Sequence, residues 1–324
     1  MASVQQLMPL AQTILTAATE ANRTRIRFWG VRGSVPTPGP GTVVYGGNTS
    51  CVEVRGGGEI IVLDAGTGLR PLGMELSAEF AQAPLRATLL LTHTHWDHIQ
   101  GLPFFSPVYQ PQNRLRILGY EGASNGLRSV LSSQMDMPYF PIGLRALPAN
   151  LQIEELKDLE FDVGKVRVRA FYANHPGICV GYRLFTPEGS VAFFPDNELR
   201  RGVYSPPSPD DTAQQQQARV ENEKLIEFLR GTDVLIMDSQ YDSTEYPAHV
   251  GWGHGCVDDV VALALRAEVK QLFLFHHDPN HDDAKVRQMT EDARRIVFDQ
   301  KASLQVNAAQ EGVVVELGGA MKES

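Results

Sequence analysis

"LLLTHTHWDHIQG" (residues 89–101) ends an apolar run with His93, His95, Asp97 and His98, four ionisable side chains within six positions. Crowding of this kind costs desolvation and mutual repulsion unless a cation sits among the groups. The preceding "TLLL" (88–91) is continuously apolar, as expected of a strand covered on both faces, so the cluster falls on a turn just past a strand end. His93 and His95 alternate along an extended segment and can therefore point the same way.

The pattern repeats along the chain. The first 92 residues hold no histidine, and the nine that follow come in a few islands. "VRVRAF" (166–171) leads to His175, "VAFF" (191–194) to Asp196, and "LFLF" (272–275) to His276 and His277. Strand ends of one layered sheet lie side by side, so polar residues placed just past several of them converge on one rim. His93, His95 and His175 would supply one three-ligand set, and Asp97, His98 and His276 a second. Asp196 has two oxygens with which to bridge them. That is the ligand count of a two-metal hydrolase, whose ions lie about 3.5–4 Å apart. Without a cation, burying so many ionisable groups together is prohibitive. Histidine and carboxylate suit zinc, manganese or iron; zinc is the default on affinity.

The remaining runs set the class. "IRFW" (26–29), "IIVL" (60–63) and "DVLIM" (233–237) also read as buried strands, and helices are expected at 122–135, 213–230, 257–268 and 283–299. Strands mixed with helices point to two sheets with helices outside, an α/β sandwich. Val4, Leu7, Met8, Ala11, Leu15 and Ala18 recur at helical spacing. They predict a helical extension over residues 1–24, packed on the main domain (25–324) or on a partner subunit in a homodimer. This segment has no basic residue before Arg23 and no unbroken apolar core, so neither a signal peptide nor a membrane span is expected. "SPPSPDDTAQQQQ" (205–217) reads as a surface insertion, or alternatively as a flap over the site. The net charge of −9 argues against a broad surface for nucleic acid or anionic lipid. Three scattered cysteines, Cys51, Cys179 and Cys256, suit reduced thiols and a cytoplasmic location.

The H-x-H-x-D-H of residues 93–98, with Asp64, His175, Asp196 and His276 in that chain order, resembles the metallo-β-lactamase superfamily over residues 25 to 317. The resemblance implies a four-layer αββα sandwich with a binuclear site on its rim, and His276 rather than His277 as the last ligand. "FWGVRGSVPTPGP" (28–40), "YGGNTSC" (45–51), "LDAGTGL" (63–69) and "GWGHGCVDDVVALA" (251–264) resemble its phosphodiesterase branch, which includes ribonuclease Z and cyclic-phosphate phosphodiesterases. By that likeness Asp64 is an acceptor behind the ligand histidines, and His254 reaches the scissile phosphate. Asn48, Thr49 and Ser50 offer neutral donors suited to phosphate oxygens.

Gly255 and Cys256 replace the Ser-Thr usual after that histidine, and no Gly/Pro-rich basic insertion offers an RNA-gripping arm. Flavodiiron reductases carry glutamate where this chain has His95, and no cysteine falls at a ligand position. The expected function is a cytoplasmic, binuclear phosphodiesterase for a small or cyclic phosphodiester. In it, Asp97 and Asp196 hold a metal-bridging hydroxide and His254 assists the leaving oxygen. The alternatives are a metal-dependent nucleotide sensor without turnover and a ribonuclease Z-like RNA endonuclease.

Overall fold

Each apolar run becomes a strand of one of two seven-stranded sheets in the computed structural model, which describes residues 23–120, 126–199 and 212–317. The first sheet takes β1 (Arg25–Gly30), β2 (Cys51–Gly56), β3 (Glu59–Leu63), β4 (Arg86–Leu91), β5 (Arg114–Gly119), β6 (Asn150–Glu155) and β14 (Val314–Glu316). Their spatial order is β14-β1-β2-β3-β4-β5-β6, antiparallel up to β3 and parallel from there to β6. The second sheet takes β7 (Glu160–Val163), β8 (Val166–Tyr172), β9 (Val180–Thr186), β10 (Gly189–Phe194), β11 (Val234–Asp238), β12 (Gln271–Phe275) and β13 (Gln305–Ala308). It is ordered β13-β12-β11-β10-β9-β8-β7, with β10 to β13 parallel.

Alternation explains how the layers form. In "LFLF", Phe273 and Phe275 join the core between the sheets, while Leu272 and Leu274 pack under the outer helices. Helices α1 (Leu69–Glu79) and α3 (Gly126–Ser133) cover the first sheet through Leu69, Leu72, Leu76, Leu127 and Leu131. Helices α4 (Ala213–Leu229), α5 (Val257–Arg266) and α6 (Asp283–Asp299) cover the second through Leu225, Leu229, Val260, Val261, Met289 and Ala293. The result is the αββα sandwich. A one-turn helix, α2 (Trp96–Ile99), lies on the rim.

Phe273 is 1% exposed and packs on Phe28 with ring centroids 5.1 Å apart at the centre of the inter-sheet core. Phe273→Ala should therefore lower stability by about 3–5 kcal/mol, read from urea unfolding at constant m-value.

The helices expected at 213–230, 257–268 and 283–299 form within a residue or two of those bounds. The one expected at 122–135 is shorter among the described residues. Helix α1 was not anticipated, because "LRPLGMELSAE" carries a proline and a glycine. Pro71 falls in the first turn, where a missing N–H costs nothing. Gly73 is required by contact: a Cβ there would lie 2.7 Å from the Phe105 ring. The expected N-terminal helix and most of the 205–217 insertion lie outside the described residues. No helix among the described residues is long and apolar enough to cross a membrane.

Candidate metal centre

Strands β3, β4, β8, β10, β11 and β12 all end on one rim, and each delivers at least one polar side chain there: Asp64, the 93–98 turn, His175, Asp196, Asp238 and His276. Two groups result. Ligand atoms of His93, His95, His175 and Asp196 lie within 4.8 Å of one another, as do those of Asp97, His98 and His276. Asp196 reaches both groups. Its Oδ2 is 3.7 Å from His93 Nε2 and 3.5 Å from His175 Nε2, and its Oδ1 is 3.1 Å from His98 Nε2 and 3.2 Å from His276 Nε2. Asp97 Oδ2 completes the second group, 3.1 Å from His98 Nε2 and 3.2 Å from His276 Nε2. All seven residues singled out in the sequence meet here.

The outward-facing ring nitrogens explain why the inner ones converge. His98 Nδ1 donates to Asp64 (2.7 Å), His175 Nδ1 to the Gly253 carbonyl (3.0 Å) and His276 Nδ1 to Gln240 Oε1 (3.1 Å). His93 Nδ1 meets Thr92 Oγ1 at 3.1 Å, and that hydroxyl in turn contacts the Asp64 carboxylate. With the outer N–H engaged, each Nε2 presents a lone pair inward. His93 Nε2, His98 Nε2 and Asp196 Oδ1 are buried without a hydrogen-bond partner. Buried lone pairs facing one another are costly by themselves and suit a cation, so the donor set fits divalent metal.

The electrostatics point the same way. Burial and neighbouring His98 hold His93 well below the ordinary histidine range. Burial also opposes charge on His98, yet Asp97, Asp196 and Asp64 overcome it and raise that group well above its ordinary value. The same carboxylates that favour positive charge at His98 would favour a cation placed among them. Burial works against ionised Asp196 as well, but His276, His98 and His93 hold its carboxyl far below the usual range.

Geometry separates the adjacent His276 and His277. His277 turns away, its Nε2 2.9 Å from the Ala309 carbonyl, and burial depresses it to about 3. His276 faces the site under the "GVRGS" segment, with Gly33 against its ring and Ser34 N donating to Asp97 Oδ2 at 2.8 Å. A Cβ at position 33 would lie 2.4 Å from His276 Nδ1. Gly33→Ala should therefore weaken metal retention by about tenfold or more while the chain still folds, measured by metal analysis and circular dichroism.

His254 lies at the edge of the same cluster. Its Nδ1 is 2.9 Å from Asp238 Oδ2 and 3.9 Å from Asp196 Oδ2, and its ring stacks on His276 at 4.9 Å. Burial disfavours its charge, but Asp238 prevails and pushes it up to about 9. Asp238 itself was missed in the sequence, though it ends "DVLIMD" as other site residues end their strands. Thr92 and Gln240 were missed as well, since nothing local marks a residue that steers a ring.

One expectation is corrected. Asn48, Thr49 and Ser50 do not present free donors to a ligand. Asn48 donates from its backbone and side chain to Glu311, at 2.6 and 3.0 Å. Ser50 Oγ donates to Asp64, Thr49 exchanges bonds with Thr67, and both are fully buried. The three residues brace the site from behind. Asp64 likewise touches one ligand histidine directly, His98, and reaches His93 only through Thr92.

An αββα sandwich with histidine and aspartate donors gathered on its rim is the class that fold and site define. The chain belongs to the beta-lactamase superfamily: the family model described as Beta-lactamase superfamily domain matches residues 60–277. The ribonuclease Z of Thermoplasma acidophilum is 26% identical over 305 residues, spanning 85% of this chain and 92% of the relative. The metallo-beta-lactamase fold protein YhfI of Bacillus subtilis superposes with a TM-score of 0.64 at 17% identity, covering 91% of this chain and 100% of that one. The short form of human tRNase Z gives 0.59 at 17% identity, again covering 91% and 100%. These two structures show the fold.

Proposed function

We propose that this metal-dependent hydrolase cleaves a small or cyclic phosphodiester at a two-metal centre. The ions would be held by His93, His95 and His175 on one side and Asp97, His98 and His276 on the other, with Asp196 shared. Residues 25–324 are taken as the catalytic unit. When bound, divalent cations supply an acidified water and positive charge for the phosphate oxygens. The observation that carries the reading is the His254–Asp238 pair beside the shared carboxylate. Asp238 accepts from Nδ1 and stabilises the imidazolium, which leaves Nε2–H as a proton donor for the departing oxygen. A cleft of about 550 Å³ beside His175 and Gly253, lined also by Asn174, Tyr246 and Val250, offers room for the body of a small substrate.

A second reading rests on one finding. The Thermoplasma relative is a ribonuclease Z, so RNA stands as the alternative substrate despite the net charge of −9. The test is a panel of bis-p-nitrophenyl phosphate, cyclic mononucleotides and a precursor tRNA, run with zinc or manganese and metal analysis on the same sample. Turnover of the small diesters is expected. Cleavage of the tRNA alone would move the assignment to the second reading. No turnover at full metal occupancy would overturn both and leave a binding protein.

A further inference from the structure

The segment 249–254, which carries His254 and whose Gly253 carbonyl accepts from His175, is built around a carboxylate that lies outside the candidate ligand set. Glu198 is 6% exposed, and its carboxylate is held by backbone N–H groups and a hydroxyl. Its Oε1 accepts from Gly251 N (2.8 Å) and the Tyr246 hydroxyl (2.8 Å), and its Oε2 from Gly253 N (2.9 Å) and Gly251 N (3.0 Å). Gly251 and Gly253 have φ of +88° and +89°, the left-handed region that glycine tolerates, so their N–H groups can turn together toward one anion. A Cβ on Gly253 would also lie 2.5 Å from His175 Nδ1. The Gly-Trp-Gly of 251–253 is therefore an anion nest wrapped on Glu198, directly preceding His254.

The other end of the same turn is equally anchored. Glu198 follows Asp196 by two residues; its backbone N–H donates to the Asn174 carbonyl (3.0 Å), and Asn197 Oδ1 accepts from Asn174 N (3.0 Å). Asn197 N donates to Asp238 Oδ2 at 3.1 Å. One short stretch thus ties the shared aspartate, the His175 turn, the partner of His254 and the loop bearing His254.

We infer that Glu198 is a positioning residue that sets His254 at the distance from the phosphate where it protonates the leaving oxygen, a role that rests on the phosphodiesterase reading above. It acts through the loop and touches no reacting atom. Its loss displaces the proton donor, and because the Gly253 carbonyl engaged by His175 lies on the same loop, the effect is read at matched metal occupancy. Misplacement of a catalytic group by about 1 Å costs on the order of 10²-fold.

The test uses metal-loaded full-length protein and two diesters that differ in leaving-group basicity, bis-p-nitrophenyl phosphate and diphenyl phosphate. Nitrophenolate leaves with little protonation, whereas phenolate needs the acid. Glu198→Gln and Glu198→Ala are each compared with wild type per metal-loaded site, since His175 leans on the same loop. Both should lose activity toward diphenyl phosphate about tenfold more than toward bis-p-nitrophenyl phosphate, with Gln milder because it keeps one acceptor oxygen. Equal losses on the two esters, or none, would overturn the positioning role. Should Glu198→Ala fail to fold, the isosteric Gln variant and Tyr246→Phe, which removes one donor to the carboxylate, give the same comparison. Wild-type protein that is fully metallated yet hydrolyses neither ester would defeat the phosphodiesterase reading itself, an outcome distinct from equal losses in the variants.

Discussion

Asp196→Ala should abolish turnover, with kcat down by about 10³-fold or more, the scale of removing a group that holds transition-state charge in place. The physical reason is the position of this one carboxylate between two histidine groups, with Oδ2 toward His93 and His175 and Oδ1 toward His98 and His276. Without it, the purified protein should hold fewer than two ions per chain by metal analysis. Stability gives an independent check. A metal that binds only the folded chain stabilises it by about 2.7 kcal/mol at 100 times its Kd, so chelation should lower the wild-type Tm clearly. In Asp196→Ala the same chelator should shift Tm little. A variant that kept two tightly held ions and the full chelator response would sink the shared-ligand assignment.

Why the donors were legible in the sequence, while much of their support was not, follows from how each is encoded. His93, His95, Asp97, His98, His175, Asp196 and His276 each follow an apolar strand within a few residues, and the rim rule turns that local signal into a common location. Orientation has no such local signal. Gln240 steers His276 across 36 positions, and Glu311 captures Asn48 across 263, so neither pairing can be read from its neighbourhood. Asn48, Thr49 and Ser50 were misread for the same reason: residue type announces a donor, but only packing decides which way it points. The layers follow a similar division. Continuous apolar runs announced the central strands, whereas β5 and β6 ("RLRILG", "NLQIEE") mix charged and apolar positions and gave no such mark. Helix α1 hid behind Pro71 and Gly73, residues that tertiary contact and helix position explain but local propensity counts against.

Asp238→Asn and His254→Ala should each lower kcat by about 10²–10⁴-fold, the range for losing a positioned general acid, and both proteins should keep their metals. The argument is that the two residues form one unit. Asp238 Oδ2 accepts a hydrogen bond from His254 Nδ1 at 2.9 Å, which fixes the ring's orientation and favours its charged form. An asparagine can turn its amide nitrogen toward that ring atom, which makes Nδ1 an acceptor and holds the ring neutral, so that the proton left on Nε2 belongs to a far weaker acid than the imidazolium. Because either change disables the same proton transfer, the double variant should be scarcely worse than either single one, a strong departure from additivity. Two independent losses that multiply in the double variant would instead mean that His254 and Asp238 act separately, with Asp238 serving chiefly through its bonds to the backbone of Asn197 and Gln240. Steady-state kinetics on the four proteins, with metal content measured for each, separates these outcomes.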